Sequence, residues 1–280
     1  LHDLHEDYEL YALFDDENIT PTKASRSRSP QAIPEVVDTL RALAIFKVTA
    51  HYPLLLSAMR KYKVRHLQKK HLIALCHALE VFYFYSVKDK RNGRIGELFA
   101  RHALNIHNAA NQNKTINAVN EVIEYLKSRV PSEQAAREMV FRDLFYTNKG
   151  KRPKGNTKPA IMRYVLIKLG QHAHKIDRGI PHHPDNYSIE HILGDREANS
   201  DGLPLDVHRL GNLLVLNRNV NSTLPEPFSE KREVFRQAVH YIDPILQKWL
   251  EEPKSSISSE DLEERLSYLT ELAASEIWTI

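Results

Sequence analysis

The chain has 280 residues, 42% of them hydrophobic, and 39 Lys and Arg against 36 Asp and Glu give a formal net charge of +3. This is enough apolar material for one large core or two smaller ones, and the small net charge does not by itself identify a nucleic-acid binder. The single cysteine, Cys76, excludes an internal disulfide framework and a Cys-built zinc site. Val81–Val87, the longest apolar run, is far short of the roughly 18–20 residues a membrane span needs, so no membrane partner is expected. No basic-then-apolar leader opens the chain, and a cytoplasmic setting is expected. The sequence starts without Met, in mid-pattern, which reads as a portion of a longer protein.

Residues 1–33 end in the polar "TPTKASRSRSP" and read as a linker or helix remnant. A helical period takes over at Pro34, a residue suited to the first helical position, and Val37, Leu40, Leu43 and Ala44 recur at threes and fours. Pro53 breaks or starts the next helix. His71–Val87 reads as a buried helix that takes Cys76 into the core. Ile116, Val119, Ile123, Leu126 and Val130 form a further stripe, and Ser132 is a fitting N-cap for a helix over Ser132–Phe145. Residues 34–147 are thus expected to form a helical domain. Thr157–His174 is amphipathic and helical.

The texture then changes. "YSIEHIL" alternates like a short strand, "GNLLVL" supplies a second strand over Asn212–Leu216, and Phe228–Leu250 returns to a helical period. Two strands and a helix in succession predict a compact ββα unit. Residues 251–280 read as a C-terminal helix starting near Ser258, with Asp261 as the capping-box acid.

Basic residues cluster in three stretches: Arg60–His71, Lys88–Arg94 and Asn148–Lys158. Local basic faces on a nearly neutral chain suit phosphate contact, although each cluster can equally be a solvated helix surface. In the third, Gly150, Pro153 and Gly155 mark a loop. Lys149, Lys151, Arg152 and Lys154 are therefore expected to touch DNA backbone without reading bases.

Hydrolysis of a phosphodiester needs a base for water, a divalent cation at the phosphate and neutral groups that hold the pieces. An imidazole ordinarily titrates near roughly 6.5, so His191, at a strand end, is a candidate base. Glu190 points to the opposite side unless the strand ends there. Gly211 lets the backbone turn tightly onto the second strand. Asn212 follows it, and an Asn after Gly also suits a simple turn-bonding role. Asn221 offers a hard amide oxygen suited to Mg²⁺; Asn217 and Asn219 compete for that position.

The order Glu-His, Gly-Asn-Leu and then Asn resembles the pattern of HNH, or ββα-metal, endonucleases. The longer series Glu190, His191, Gly211, Asn212, Leu213, Asn221, Phe228 and Lys231 is similar to the C-terminal nuclease region of GmrSD-type and SspE-like anti-phage restriction proteins. That resemblance implies a mainly α fold: a helical bundle domain followed by a small ββα-metal (HNH) nuclease module packed among helices, over residues 148–250. It implies His191 as general base and Asn212 as the brace of its loop. Asn221, with Glu190 as helper, would bind Mg²⁺ or Mn²⁺. His208, Lys231 and Arg232 would approach the phosphates. It further implies DNA nicking in a modification-sensing (phosphorothioate) restriction system, with double-stranded DNA as partner. An N-terminal NTPase-like domain of the same parent chain would be a second partner; the present chain shows no P-loop. A departure is Gly194, where such nucleases are expected to carry Pro. The rival reading is a non-catalytic DNA-binding module on a degenerate nuclease fold. His172, His174, His182 and His183 are not read as a metal site, since 172 and 174 fall on different helix faces.

Overall fold

The computed structural model describes residues 2–14, 19–22, 28–86, 95–147, 157–173, 187–194, 206–221, 224–225, 227–238, 242–252, 254 and 256–280. The chain forms two compact units, residues 1–131 and 132–279. It is mainly helical, with one small two-stranded antiparallel sheet among the described residues.

The first unit is built of α1 (His2–Ala12), α2 (Pro34–Phe46), α3 (Tyr52–Lys63), α4 (Lys69–Ser86), α5 (Ile95–Asn108) and α6 (Gln112–Lys127). Pro34 opens α2, and Lys47 closes it in the left-handed conformation, at φ 57°. Pro53 lies in the first turn of α3, where its missing N–H costs nothing. The Asn111 side chain caps α6 by accepting from Lys114 N at 3.0 Å. Helix α4 packs against α2, α3 and α6, and α5 packs against α3 and α6. Leu72, Leu75, Cys76 and Leu79 of α4 are fully buried, each leucine contributing roughly 1.5–3 kcal/mol. Burial, reinforced by the nearby Glu80, pushes the Cys76 thiol well up, so it stays protonated. Helix α5 was not expected from the sequence. Its buried Phe99, Ala103 and Ile106 lie four and three apart, the spacing of a single helix face.

The second unit starts with α7 (Glu133–Ala136), capped by Ser132, which continues as a π-turn over Arg137–Phe141. The helix expected over Ser132–Phe145 therefore stops at Phe141, and Phe145 instead forms an isolated bridge with Arg209. Next come α8 (Pro159–Ala173), β1 (Tyr187–His191), β2 (Leu213–Asn217), α9 (Arg218–Asn221), α10 (Phe228–Ala238), α11 (Pro244–Glu251) and α12 (Ser259–Leu272). A π-turn, Ala273–Ile277, follows α12. The single helix expected over Phe228–Leu250 is two. Asp243 caps α11 through Leu246 N, and Pro244 cannot continue a preceding helix. At Ser258 the expected capping box with Asp261 is present.

β1 and β2 pair antiparallel, with Tyr187 opposite Asn217, Glu190 opposite Leu214 and His191 opposite Leu213. Helix α8 packs on both strands. Leu214 and Leu216 join Phe228, Phe235, Trp249 and Leu262 in a buried cluster with α10, α11 and α12. Leu213 through Leu216 are thus all buried, which explains why β2 reads as a continuous apolar run rather than an alternation.

Candidate active site

The site begins where β1 ends. His191 is the last residue of the strand, opposite the first residue of β2. Beyond it the chain is held by Asn212, which is fully buried in a 3-10 turn over Leu210–Asn212. Its Oδ1 accepts from Leu193 N at 2.8 Å, and its Nδ2 donates to Leu193 O at 3.0 Å and Val207 O at 2.8 Å. Ile192 N donates to the Asn212 backbone carbonyl at 2.9 Å. Asn212, through its side-chain amide and its backbone carbonyl, thus ties the two residues after His191 to the segment preceding β2. Loss of that side chain would leave buried backbone groups unsatisfied, at about 1–3 kcal/mol each.

Gly211 serves a different need from the tight turn the sequence suggests. A Cβ there would lie 2.3 Å from the Leu262 backbone oxygen and 2.9 Å from Leu266 Cβ. Its role is the close approach of α12. From that helix Arg265, 3% exposed, reaches the same segment. Its Nη1 donates to Gly211 O at 2.7 Å and Leu213 O at 3.0 Å, and its Nε to Asp243 Oδ2 at 2.9 Å. Asp243 also caps α11, so both of its oxygens are used.

On the other side of the strand end, Lys231 of α10 is buried. Its Nζ donates to Glu190 Oε1 at 2.7 Å and to the His191 carbonyl at 2.8 Å. Lys231, expected at a phosphate, is here an internal brace of β1. Arg232, with the same expectation, donates to the carbonyls of Leu250, Glu252 and Lys254 at the end of α11.

His208 comes to the imidazole of His191. Its Nδ1 lies 3.3 Å from His191 Nε2, the rings being nearly perpendicular at 5.3 Å. The Phe145–Arg209 bridge and a bond from Tyr146 N to His208 O at 2.9 Å place His208 there. Phe145 meets the His208 ring edge-on at 5.2 Å, and Tyr146 lies nearly parallel to His191 at 6.4 Å. Burial raises the Tyr187 phenol at the start of β1, keeping it protonated at neutral pH.

The structure therefore gathers Glu190, His191, His208, Asn212 and Lys231 around one strand end, while Arg232 faces α11. Asn221 ends α9, directly after β2, and its side chain lies outside the described residues, as do Lys149, Lys151, Arg152 and Lys154. Asn217 Oδ1 accepts from Asn219 N at 3.2 Å. Among the described residues no group of three or more His, Cys, Asp or Glu side chains could hold a metal ion. Sequence reasoning missed Tyr146, Asp243 and Arg265. Asp243 before Pro244 was a legible cap signal. Arg265 stands three residues after Leu262 on the apolar stripe of its helix, where a cation is anomalous.

No curated protein and no solved structure matched the chain. Residues 136–272 match the family model of the C-terminal domain of GmrSD restriction endonucleases. The matched span includes the strand end, its Asn212 clamp and Arg265, so it is the second unit of this chain that is similar to the C-terminal domain of GmrSD restriction endonucleases.

Proposed function

We propose that this domain is a metal-dependent DNA endonuclease of the HNH, or ββα-metal, type, with His191 as general base. The observation that supports it best is the Asn212 clamp directly after His191, in a span that matches the C-terminal domain of GmrSD restriction endonucleases. A strand-end imidazole held in this way can meet a water molecule without reorganising first. The contact with His208 constrains which atom does so. Only one proton fits between His191 Nε2 and His208 Nδ1 across 3.3 Å. If His208 donated it, the neutral His191 ring would carry its own proton on Nδ1 and have no basic lone pair left. For His191 to act, its Nε2–H donates to His208, and its Nδ1 takes the proton from water.

The donor chemistry fits a hard divalent cation. Glu190, the base's neighbour in sequence, would offer a carboxylate and Asn221 an amide oxygen, residue types suited to Mg²⁺ or Mn²⁺. When bound, the ion would offset charge at the scissile phosphate and the leaving 3′-oxygen. Lys231 fixes the backbone of His191 through its carbonyl and holds Glu190 in place. A single such site cuts one strand, so nicking of double-stranded DNA is the expected product. The setting is restriction of phage DNA in the cytoplasm, with modification (phosphorothioate) sensing in an N-terminal NTPase-like domain of the parent chain.

One observation favours a second reading, a non-catalytic DNA-binding module: the Glu190 carboxylate is committed to the buried Lys231. Conversion of supercoiled plasmid to open circle in Mg²⁺, Mn²⁺ or EDTA, beside His191→Ala, separates the two. Metal-dependent nicking that falls by about 10²–10⁴-fold in the variant is expected. DNA binding that persists in EDTA without nicking in either metal would establish the second reading instead.

A further inference from the structure

We propose that the first unit carries a duplex-DNA contact of its own, on the crest formed by the end of α3, the turn Val64–Gln68 and the first turn of α4. The proposal rests on DNA being the substrate of the second unit and adds a surface that the nuclease reading does not use.

Arg60–His71 contains six Lys and Arg and no acid. The fold engages several of them: Arg60 is held by both oxygens of Asp7, Lys61 Nζ donates to Ala109 O at 2.8 Å, and Lys63 is also partnered. The turn itself is closed by backbone. His66 N and Leu67 N both donate to Lys61 O, at 2.9 and 3.0 Å, and the fully buried Leu67 anchors it. Arg65, Lys69 and Lys70 are left exposed on the crest. Lys69 lies 3.9 Å from Glu35, beyond hydrogen-bonding distance, and among the described residues Arg65 and Lys70 form no ion pair.

These three cations oppose the local physics. Lys69 and Lys70 stand in the first turn of α4, which carries no acid of its own, and the positive end of the helix dipole repels them. Burial, and after it the charge of Lys70, hold the His71 imidazole below its usual range. Arg65 adopts the left-handed conformation, at φ 65°, which Gly or Asn would take at less cost. Exposed cations whose one internal partner is the loose Lys69–Glu35 pair suit a closely spaced row of negative charges. Duplex DNA presents one about every 1.7 Å of axis. Lys and Arg on a turn would contact phosphates and carry no sequence preference.

The test is binding of the full chain to a fluorescent 30-bp duplex in EDTA across KCl concentration, beside Arg65→Gln/Lys69→Gln/Lys70→Gln. We expect the triple variant to bind about 10–100-fold more weakly, with a slope of log K against log salt shallower by about 2–3. Its Tm should hold or rise by about 1–4 °C, because helix-terminal repulsion is relieved. Lys70→Gln alone, on an exposed side chain, should make the slope shallower by about 1. An unchanged slope in both variants overturns the proposal, as does a parent chain that binds no DNA. Because the assay excludes metal, loss of nicking with this slope change intact would break only the nuclease reading.

Discussion

The first unit buries α4 in side chains that are almost all apolar, whereas the second buries Asn212, Lys231, Asp243 and Arg265 beside its leucines and tryptophans. In the first, helix faces meet mostly through nondirectional packing, which tolerates volume-conserving exchange, with the buried Thr39–Glu80 hydrogen bond of 3.1 Å as an exception between α2 and α4. In the second, each of these four polar groups has a specific partner, and most of those partners lie within a few residues of His191 or Asn212. Apolar packing alone would hold β1 against β2 without fixing the chain beyond the strand end. The polar contacts do so, at the cost of desolvating charges whose removal one at a time is severe.

Arg265→Met strikes that difference hardest. It leaves Asp243 buried without its cation and two carbonyls without a donor, so a loss of about 3–5 kcal/mol is expected. Urea unfolding followed by tryptophan fluorescence reads it directly, because both tryptophans, Trp249 and Trp278, lie in the second unit. A loss below about 1 kcal/mol would mean that the buried ion pair is dispensable and the contrast between the units is false. Gly211→Ala comes next. The added methyl meets backbone of α12 rather than a flexible side chain, so the helix must shift, at about 1–3 kcal/mol. In the nicking assay it should also lower activity, since Asn212 moves with its neighbour.

Asp261→Asn sharpens the comparison at the surface of the same helix, with an expected loss of about 0.5–1 kcal/mol. Burial works against the charged Asp261 carboxylate. The bonds from Lys254 and from the Ser258 N–H and hydroxyl outweigh it, so its pKa lies below the ordinary value. A depressed folded-state pKa stabilises above the unfolded-state value and loses that contribution as pH falls through the folded one. The stability gap between parent and variant should be full at pH 6 and close below about pH 4. A gap that does not narrow at all as pH falls below about 4 would locate the effect in something other than the carboxylate charge.

Much of the helical framework was legible because its signals are local. Pro34, Ser132 and the Ser258–Asp261 box each mark a terminus through residues within one turn. The break at Asp243–Pro244 was equally local, but the apolar period running through Phe228–Leu250 masked it. Asn after Gly is a turn signal, and Asn212 does hold a turn. What the pattern could not carry was long-range pairing. Lys231 meets Glu190 across 41 residues, and Arg265 meets Gly211 across 54. No spacing rule connects such partners, so Lys231 read as a phosphate contact and Arg265 drew no reading. The His191–His208 contact depends on the Phe145–Arg209 bridge, which forms only because the helix before it ends early.

The buried thiol of Cys76 has a consequence for how the chain can be studied. It is the single cysteine, it is shielded from solvent, and its burial keeps it protonated and unreactive. The natural sequence therefore already serves as a cysteine-silent background. A maleimide dye or spin label on one cysteine introduced at the α3–α4 crest would report from that position alone, with no prior removal of native thiols.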